Sequence, residues 1–363
     1  MKKTIIFAAA LSAGLAVPSA HACTGIAFQT AKGEYIQART IEWGGYNLNS
    51  KLVVIPRERE NTALTPQGKN GLEWVSKYGI VGASTVMEEF VTEGLNEKGL
   101  SAGIFYFPRY GSLAKYNPRK ARRSVSDAEL VRWLLGNFTT VDQALKGLEK
   151  ITVIPVDPGT GGEPASTGHW RLADAFGKSV VIEITDGGKI HVYANKAGVL
   201  TNSPGFDWQM TNLNNYVNLR TGAAPAQDAG DVKLVPFGAG SGFLGLPGDV
   251  TPPSRFVRAF FYLHSAPVPA DAQAGMTQAF HLLNNFDIPI GSEFAPGESI
   301  PDMPSATQWT SVSDLTNKIF YYKTMYDNTI RRIKLQDIDF QAVPYTVRPL
   351  DEAPVQPVRT LSF

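Results

Sequence analysis

Cys23 is the only cysteine in this 363-residue sequence, and it directly follows a segment with the pattern of a secretory leader. Two lysines precede a small and apolar run over 4–16, and Ala20-His21-Ala22 places small residues at the third and first positions before the cysteine. The pattern predicts a cleaved signal peptide over 1–22, because an apolar run this short is not a membrane anchor. One cysteine forms no internal disulfide, so the mature chain, 23–363, is not a disulfide framework.

Three interpretations of Cys23 are open at this point. Cleavage after Ala22 makes Cys23 the first residue of the mature chain, where it acts as a nucleophile. Alternatively, Cys23 is the acylated cysteine of a periplasmic lipoprotein or binding protein, or it is a buried small residue without chemical importance. The lipoprotein motif usually has Leu or a similar residue three positions before the cysteine, where this sequence has Ala20. The position of the only cysteine at a processing site favours the nucleophile.

The chemistry of a terminal cysteine explains why its position matters. A thiol is a weak nucleophile until it becomes a thiolate, so it needs a base or a cationic neighbour. A nucleophile at residue one carries its own base, the free α-amine, whose pKa of about 7.7–8.0 lies near working pH. None of the histidines after the leader lies in the signature of a catalytic partner; they are His169, His191, His264 and His281. No HExxH motif or paired Cys/His spacing predicts a metal site.

The charged residues nearly balance, since 34 Lys and Arg against 33 Asp and Glu give a formal net charge of +1. Phosphate binding needs clustered Lys and Arg, so a composition without a polybasic run does not indicate a nucleic-acid surface. No second apolar run of spanning length follows the leader. We therefore expect a mature chain that is not bound to a membrane and that is located in the periplasm or secreted.

Strand and helix patterns occur in groups along the mature chain. Gly25–Thr30 and Glu34–Thr40 predict a hairpin. Ser126, with Glu129 three residues later, predicts a capping box at the start of a helix. Strands come first, followed by helices, strands, helices and strands again, and this grouping favours an α+β fold of layered antiparallel sheets flanked by helices. We interpret the Gly-rich stretch 222–248 as a long loop within a single domain.

Six short motifs give the sequence a wider resemblance. They are Cys23-Thr24-Gly25, Arg39-Thr40-Ile41-Glu42-Trp43, Gly94–Leu100, Leu200–Pro204, Leu244–Asp249 with Ser254-Arg255-Phe256, and Trp309–Asp314. On these motifs the sequence resembles the choloylglycine hydrolase family, which includes conjugated bile salt hydrolases and penicillin V acylases of the exported, Gram-negative type. Any one motif is weak evidence, but all six occur in the family's order and the cysteine lies at a processing site.

The resemblance implies a four-layer αββα sandwich of the N-terminal-nucleophile type. It implies that Cys23 attacks an amide carbonyl to form a thioester acyl-enzyme while its own amine carries the proton. Arg39 and Arg255 match the family's two site arginines, and a cation beside a thiol favours the thiolate. Asn202 matches the family's oxyanion asparagine. Glu42 stands where the family usually has Asp, whose carboxylate receives the hydrogen bond of the α-amine.

Three aromatic residues are expected to contact the substrate: Trp43, Phe105 and Tyr106. The main-chain N–H of Tyr106 is also the expected second oxyanion donor, and penicillin V acylases tend to have Tyr at this position. Packing inside a strand is the alternative for Phe105 and its neighbours. An aromatic wall suits a phenoxyacetyl group, an acyl chain or a steroid face equally.

The reaction that the resemblance implies is hydrolysis of a linear amide between an apolar acyl group and a small polar amine. Penicillin V, a conjugated bile salt and an acyl-homoserine lactone are the candidate small-molecule substrates, and Trp43 with Tyr106 favours penicillin V-like amides. No cofactor and no metal ion are implied. The family often forms homotetramers, and we expect the same assembly here.

Overall fold

The computed structural model describes residues 21–156 and 167–363, so the predicted signal peptide lies outside the described residues except for His21 and Ala22. The helices are α1 Leu130–Asn137, α2 Val141–Leu148, α3 Phe206–Asn212, α4 Pro252–Ser265 and α5 Ala272–Leu283. The strands are β1 His21–Gln29, β2 Tyr35–Trp43, β3 Lys51–Ile55, β4 Glu60–Thr65, β5 Gly68–Val75, β6 Ile80–Ser84, β7 Val91–Asn96, β8 Ser101–Tyr106, β9 Ser124–Ser126, β10 Thr152–Ile154, β11 Gly168–Ala173, β12 Ser179–Thr185, β13 Lys189–Ala194, β14 Val199–Leu200, β15 Gln227–Ala229, β16 Val232–Leu234, β17 Thr307–Asp314, β18 Ile319–Thr324, β19 Arg331–Lys334 and β20 Thr346–Pro349.

Two large sheets form the centre of the molecule. One has six strands in the order β14-β1-β2-β17-β18-β19, and the other has eight in the order β13-β12-β11-β8-β7-β6-β3-β20. All neighbouring strands in both sheets are antiparallel. The predicted hairpin is β1–β2, which lies in the interior of the six-stranded sheet between β14 and β17.

Two hydrophobic cores divide the fold into layers. The first core joins the six-stranded sheet to the eight-stranded sheet and to α4 and α5, with Ile36, Val81 and Phe280 among its members. The second core joins α1 and α2 to the eight-stranded sheet, with Leu134 and Trp170 among its members. The order is therefore helix, sheet, sheet, helix, which confirms the expected α+β sandwich.

Two local expectations are wrong in detail. Ser126 does not cap a main-chain amide, and its hydroxyl instead donates to Glu129 Oε2 at 2.8 Å. The carboxylate of Glu129 also accepts from the main-chain N–H of Leu64 and from Arg132, so tertiary partners replace the local capping box. The stretch 222–248 is not a loop throughout, because it contains the β15–β16 hairpin.

The helices are short and lie on the outer layers. The longest two in the described part of the chain, α4 and α5, have 14 and 12 residues. Within residues 21–156 and 167–363, no helix has the length and apolar character needed to cross a membrane. Helix α4 packs on β1, the strand that carries Cys23.

Candidate active site

The β1–β2 hairpin determines where the candidate nucleophile lies. Gly25, two residues after Cys23, pairs directly with Arg39. Because side chains alternate along a strand, Cys23 and Arg39 point to the same face of the sheet, toward the eight-stranded sheet. Glu42, which pairs with Ala22, points to the opposite face, toward the helices. The hairpin thus places predicted site residues on both faces of one sheet.

Arg39 is the cation beside the thiol. Its Nη2 donates to Cys23 Sγ at 2.8 Å, and its Nη1 donates to the carbonyl oxygen of Ile104 at 2.6 Å. The guanidinium carbon lies 4.0 Å from the ring centroid of Phe105. The side chain of Arg39 has no exposed surface. Contacts on three sides fix the guanidinium group where it stabilises negative charge on sulfur.

A buried ion-pair network supports Arg39, and sequence reasoning missed it. Glu93 Oε1 accepts from Arg171 Nη2 at 2.8 Å, and Glu93 Oε2 lies 3.6 Å from Arg39 Nη1. A Cβ atom at position 103 would overlap the Glu93 carboxyl group, so Gly103 leaves the space that this carboxylate occupies. The signal in the sequence is an acidic residue inside an otherwise uncharged buried strand, β7, since an acid in such a place needs a buried partner.

Arg255 and Asn202 contact the main chain of Cys23. Arg255, on α4, donates through Nη1 to the carbonyl oxygen of Cys23 at 2.6 Å and through Nη2 to Asn202 Oδ1 at 2.7 Å. Asn202 Oδ1 also accepts from the main-chain N–H of Cys23 at 2.8 Å. Asn202 follows β14, the short strand that pairs with β1 only at two positions beyond the cysteine. The amide oxygen therefore takes the position that a longer β14 would occupy beside the Cys23 nitrogen.

Tyr106 completes the set of groups around the sulfur. A hydrogen bond from the main chain of Tyr106 lowers the pKa of the Cys23 thiol, so the Tyr106 N–H faces the reacting atom. Asn202 Nδ2 donates to the Tyr106 carbonyl oxygen at 2.8 Å, and an amide nitrogen carries two protons. The two expected oxyanion donors therefore lie next to each other and next to Cys23.

Glu42 lies on the helix-facing side of the same hairpin and is fully buried. Burial raises the pKa of its carboxyl group, while Arg255 and the hydroxyl of Thr40, which donates to Oε1, lower it. Among the described residues Glu42 Oε2 has no hydrogen-bond partner. Glu42 pairs with Ala22, the last residue of the predicted leader. Its free oxygen is thus available near the position where cleavage would create an α-amine.

The protonation of Cys23 differs from the expectation based on its cationic neighbours. Burial raises the pKa of the Cys23 thiol above its ordinary value, although Arg39 and Arg255 lower it. The cost of burying a thiolate outweighs the attraction of two arginines. Arginines alone therefore leave the residue as a thiol near neutral pH, and a base is needed to activate it.

Histidine does not supply that base in the described part of the chain. His169 is the histidine behind this site, and its two ring nitrogens face Glu183 Oε1 at 3.1 Å and the carbonyl oxygen of Thr201 at 2.9 Å. His191 contacts Thr185, His264 contacts the carbonyl oxygen of Ala197, and His281 is exposed on α5. Across residues 21–156 and 167–363, no group of three or more His, Cys, Asp or Glu side chains is arranged to bind a metal ion.

The three predicted aromatic residues fall in two different environments. Trp43 lies edge-on to Tyr106, with ring centroids 6.0 Å apart, and edge-on to Tyr46 at 5.5 Å. Phe105 has no exposed surface, and the guanidinium carbons of Arg39 and Arg171 lie 4.0 Å and 5.3 Å from its ring centroid. Trp43 and Tyr106 can form a wall beside the thiol. The position of Phe105 favours support of the arginines over contact with a substrate.

A helix–sheet–sheet–helix sandwich with a cysteine near the start of an interior strand is the architecture of N-terminal-nucleophile amide hydrolases, and comparison with known proteins agrees. A sequence profile described as "Linear amide C-N hydrolases, choloylglycine hydrolase family" matches residues 23–346. The chain belongs to this family and is a hydrolase of carbon–nitrogen bonds in linear amides.

Similar proteins include bile salt hydrolases and a penicillin V acylase. A bile salt hydrolase/transferase of Clostridium perfringens is 34% identical over 316 residues, which cover 86% of this chain and 92% of that protein. A penicillin V acylase of Pectobacterium atrosepticum is 30% identical over 340 residues, which cover 88% of this chain and 82% of that protein. A solved mutant of the conjugated bile acid hydrolase from C. perfringens superposes with a TM-score of 0.78 at 30% identity and covers 94% of this chain and 100% of its own.

Proposed function

We propose that the chain is an N-terminal-cysteine amidase that cleaves an amide between an apolar acyl group and a small polar amine. The observation that carries this proposal is the environment of Cys23. Arg39 contacts its sulfur, and Asn202 Oδ1 accepts from its nitrogen. Removal of residues 1–22 turns that nitrogen into an α-amine beside the sulfur, which is the base that the buried thiol lacks.

The reaction proceeds in two balanced halves. The α-amine of Cys23 takes the thiol proton, and the sulfur attacks the amide carbonyl carbon. The resulting oxyanion accepts hydrogen bonds from Asn202 Nδ2 and from the Tyr106 main-chain N–H. When the C–N bond breaks, the ammonium proton passes to the leaving amine and a thioester remains. A water molecule then gives a proton to the α-amine and attacks the thioester, which releases the carboxylic acid and restores the thiol.

Penicillin V-like amides are the first choice of substrate. Trp43 and Tyr106 form an aromatic pair beside Cys23, and such a pair suits an aryl acyl group. Similar proteins carry the names of both bile salt hydrolases and a penicillin V acylase, so conjugated bile salts are the second candidate. Acyl-homoserine lactones, which also join an apolar acyl group to a small polar amine, are the third.

Export and assembly belong to the same proposal. The leader over residues 1–22 directs an enzyme of the exported, Gram-negative type to the periplasm or outside the cell, and cleavage after Ala22 frees Cys23. The family resemblance implies a homotetramer, and several exposed apolar side chains between positions 232 and 244 support association with another copy of the chain. A lipid-modified Cys23 on a binding protein is the alternative from a different class.

The test compares kcat/KM for penicillin V, glycocholate and taurocholate on purified protein that begins at Cys23. We expect turnover of penicillin V above that of both bile salts, and a loss of at least about 10³-fold in Cys23→Ser, since the thiol is the nucleophile. Protein with one additional residue before Cys23 should be as inactive as Cys23→Ser, because the Cys23 nitrogen is then part of a peptide bond and cannot accept the thiol proton.

Near-normal turnover in the extended protein would contradict the mechanism. If mass spectrometry shows acyl chains attached to Cys23, the protein is instead a lipoprotein. A preference for bile salts would agree with the proposed amide hydrolysis. It would contradict the proposal that Trp43 and Tyr106 determine the specificity for the acyl group.

A further inference from the structure

Glu293 is an acidic residue near the site that the sequence motifs do not include. It lies in the segment between α5 and β17, and both of its carboxyl oxygens are buried without a hydrogen-bond partner among the described residues. A buried carboxyl group without a partner is costly and uncommon. The position of Glu293 therefore calls for a functional explanation.

The carboxyl group of Glu293 lies against the end of strand β2. A Cβ atom built on Gly44, two residues after Glu42, would be 2.5 Å from Glu293 Oε2. Glycine at position 44 thus leaves the space in which this carboxyl group rests. Glu42 has its own buried and unpartnered oxygen, Oε2, in this region of the described chain. Two carboxyl groups with unpartnered oxygens consequently lie near the end of β2, within electrostatic range of each other.

Charged groups face Glu293 from two elements. Glu42 faces it from β2 and Arg255 faces it from α4, while Glu42 in turn interacts with Arg39 and Asp287. Burial and the charge of Glu42 raise the pKa of Glu293 to about 7, and Arg255 opposes this. Glu293 therefore changes charge near neutral pH, close to the range in which the α-amine and thiol exchange their proton.

Arg255 connects Glu293 to the nucleophile. Arg255 donates to the Cys23 carbonyl oxygen, and its positive charge lowers the pKa of the Cys23 thiol. A negative charge on Glu293 counteracts this effect of Arg255. Ionisation of Glu293 thus makes Cys23 harder to deprotonate, and protonation of Glu293 makes it easier.

We propose that Glu293 is a positioning residue for the nucleophile, which acts through Arg255 and Glu42 to set how readily Cys23 loses its proton. The proposal rests on the proposed function in one respect, namely that Cys23 is the nucleophile of the mature chain.

The test is the rate of alkylation by iodoacetamide as a function of pH, measured on mature protein that begins at Cys23. Because Cys23 is the only cysteine, one added carbamidomethyl group reports on this thiol alone. In Glu293→Gln we expect the midpoint of the profile to fall by about one pH unit, with alkylation about tenfold faster between about pH 7, where Glu293 ionises in the parent, and the midpoint.

A second variant and a matched control make the result specific. In Gly44→Ala the added methyl group displaces the Glu293 carboxyl group but leaves its charge. The alkylation midpoint should therefore fall, but by less than in Glu293→Gln. Glu298→Gln, in the same segment, removes an exposed carboxylate whose contact is the Ala295 N–H, and its midpoint should match the parent protein.

An unchanged midpoint in folded Glu293→Gln overturns the proposal, and Gly44→Ala decides the question if Glu293→Gln does not fold. Alkylation needs no substrate, so the two proposals fail separately. A shifted midpoint in a protein that cleaves none of the amides contradicts the proposed function alone. An unchanged midpoint in an active enzyme contradicts the role of Glu293 alone.

Discussion

At the scale of single residues, Asn202 contacts three partners with one side chain. Its oxygen accepts from the nitrogen of Cys23 and from Arg255, and its nitrogen donates to the Tyr106 carbonyl oxygen. The side chain is fully buried, so each of these contacts is made away from water. Asn202 therefore fixes the Cys23 nitrogen and the strand end that carries Tyr106 in one arrangement.

Replacement of Asn202 by Ala should reduce kcat by about 10²–10³-fold, since loss of one oxyanion donor costs about 3–4 kcal/mol in the transition state. The measurement is steady-state kinetics with whichever amide the parent protein cleaves best. Asn214→Ala, at an exposed position beyond α3, is the control and should keep the parent rate. If Asn202→Ala retains its parent kcat, Asn202 is not an oxyanion donor.

Residues of the site differ in how far sequence could predict them. Cys23 and Asn202 lie in motifs with fixed neighbours, and the structure brings them together. Glu93, Arg171 and Glu293 lie outside such fixed patterns, because a buried carboxyl group finds its partners among segments that are distant in sequence and meet only in the folded chain. Glu93 contacts Arg171 from a position 78 residues away, and no local periodicity reports that contact.

At the scale of elements, the register of β1 against β2 places Cys23 and Arg39 on one face of the sheet. The β1–β2 pairing places Gly25 opposite Arg39. A Cβ atom on Gly25 would lie 2.8 Å from the Phe105 ring and 2.9 Å from Arg171 Nη1. The strand therefore needs glycine here, because the ring that supports Arg39 occupies the space of a side chain.

Gly25→Ala should destabilise the protein by about 1–3 kcal/mol through overpacking. The displaced Phe105 ring should also disturb Arg39, so we expect a lower kcat. Urea unfolding gives the free energy of unfolding, and Gly240→Ala is the control, since no atom lies within 4 Å of its added carbon. A free energy of unfolding equal to that of the parent would show that the sheets can separate to accept the methyl group.

Hairpins are easier to predict than their surroundings. The β1–β2 hairpin follows from two strand patterns around a short turn, and the grouping of helices and strands predicts the layers. The start of α1 could not be predicted from Ser126 and Glu129, because the Glu129 carboxylate has tertiary partners that a four-residue pattern does not contain.

At the scale of the whole molecule, the exposed apolar residues near β15 and β16 are the feature that concerns assembly. Val235 is 64% exposed and Phe237 is fully exposed, and they lie in one segment with Val232, Leu234 and Leu244. Scattered apolar residues are normal on a surface, but a cluster in one segment favours burial against another copy.

The double variant Val235→Ser with Phe237→Ser should sediment as a smaller species than the parent, for which we expect a tetramer. Analytical ultracentrifugation at micromolar concentration measures this directly. Phe176→Ser removes an isolated aromatic residue that is 83% exposed, and it should leave the parent assembly intact. A monomeric parent protein would contradict the tetramer.

The hydrogen bond between the Cys23 nitrogen and Asn202 Oδ1 also bears on a side reaction that would inactivate such an enzyme, the transfer of the acyl group from sulfur to the α-amine. A thioester on an N-terminal cysteine has its own amine within reach, and in free peptides that amine attacks the acyl carbon through a five-membered ring. The product is a stable amide that permanently blocks both the nucleophile and its base. If the α-amine of the proposed mature chain keeps the 2.8 Å hydrogen bond that the Cys23 nitrogen makes to Asn202 Oδ1, this contact restrains it from attacking the acyl carbon. Turnover of Asn202→Ala should therefore leave a fraction of the protein heavier by one acyl group, in a bond that hydroxylamine does not cleave; a mass unchanged after many turnovers would show that the amine is restrained by other contacts.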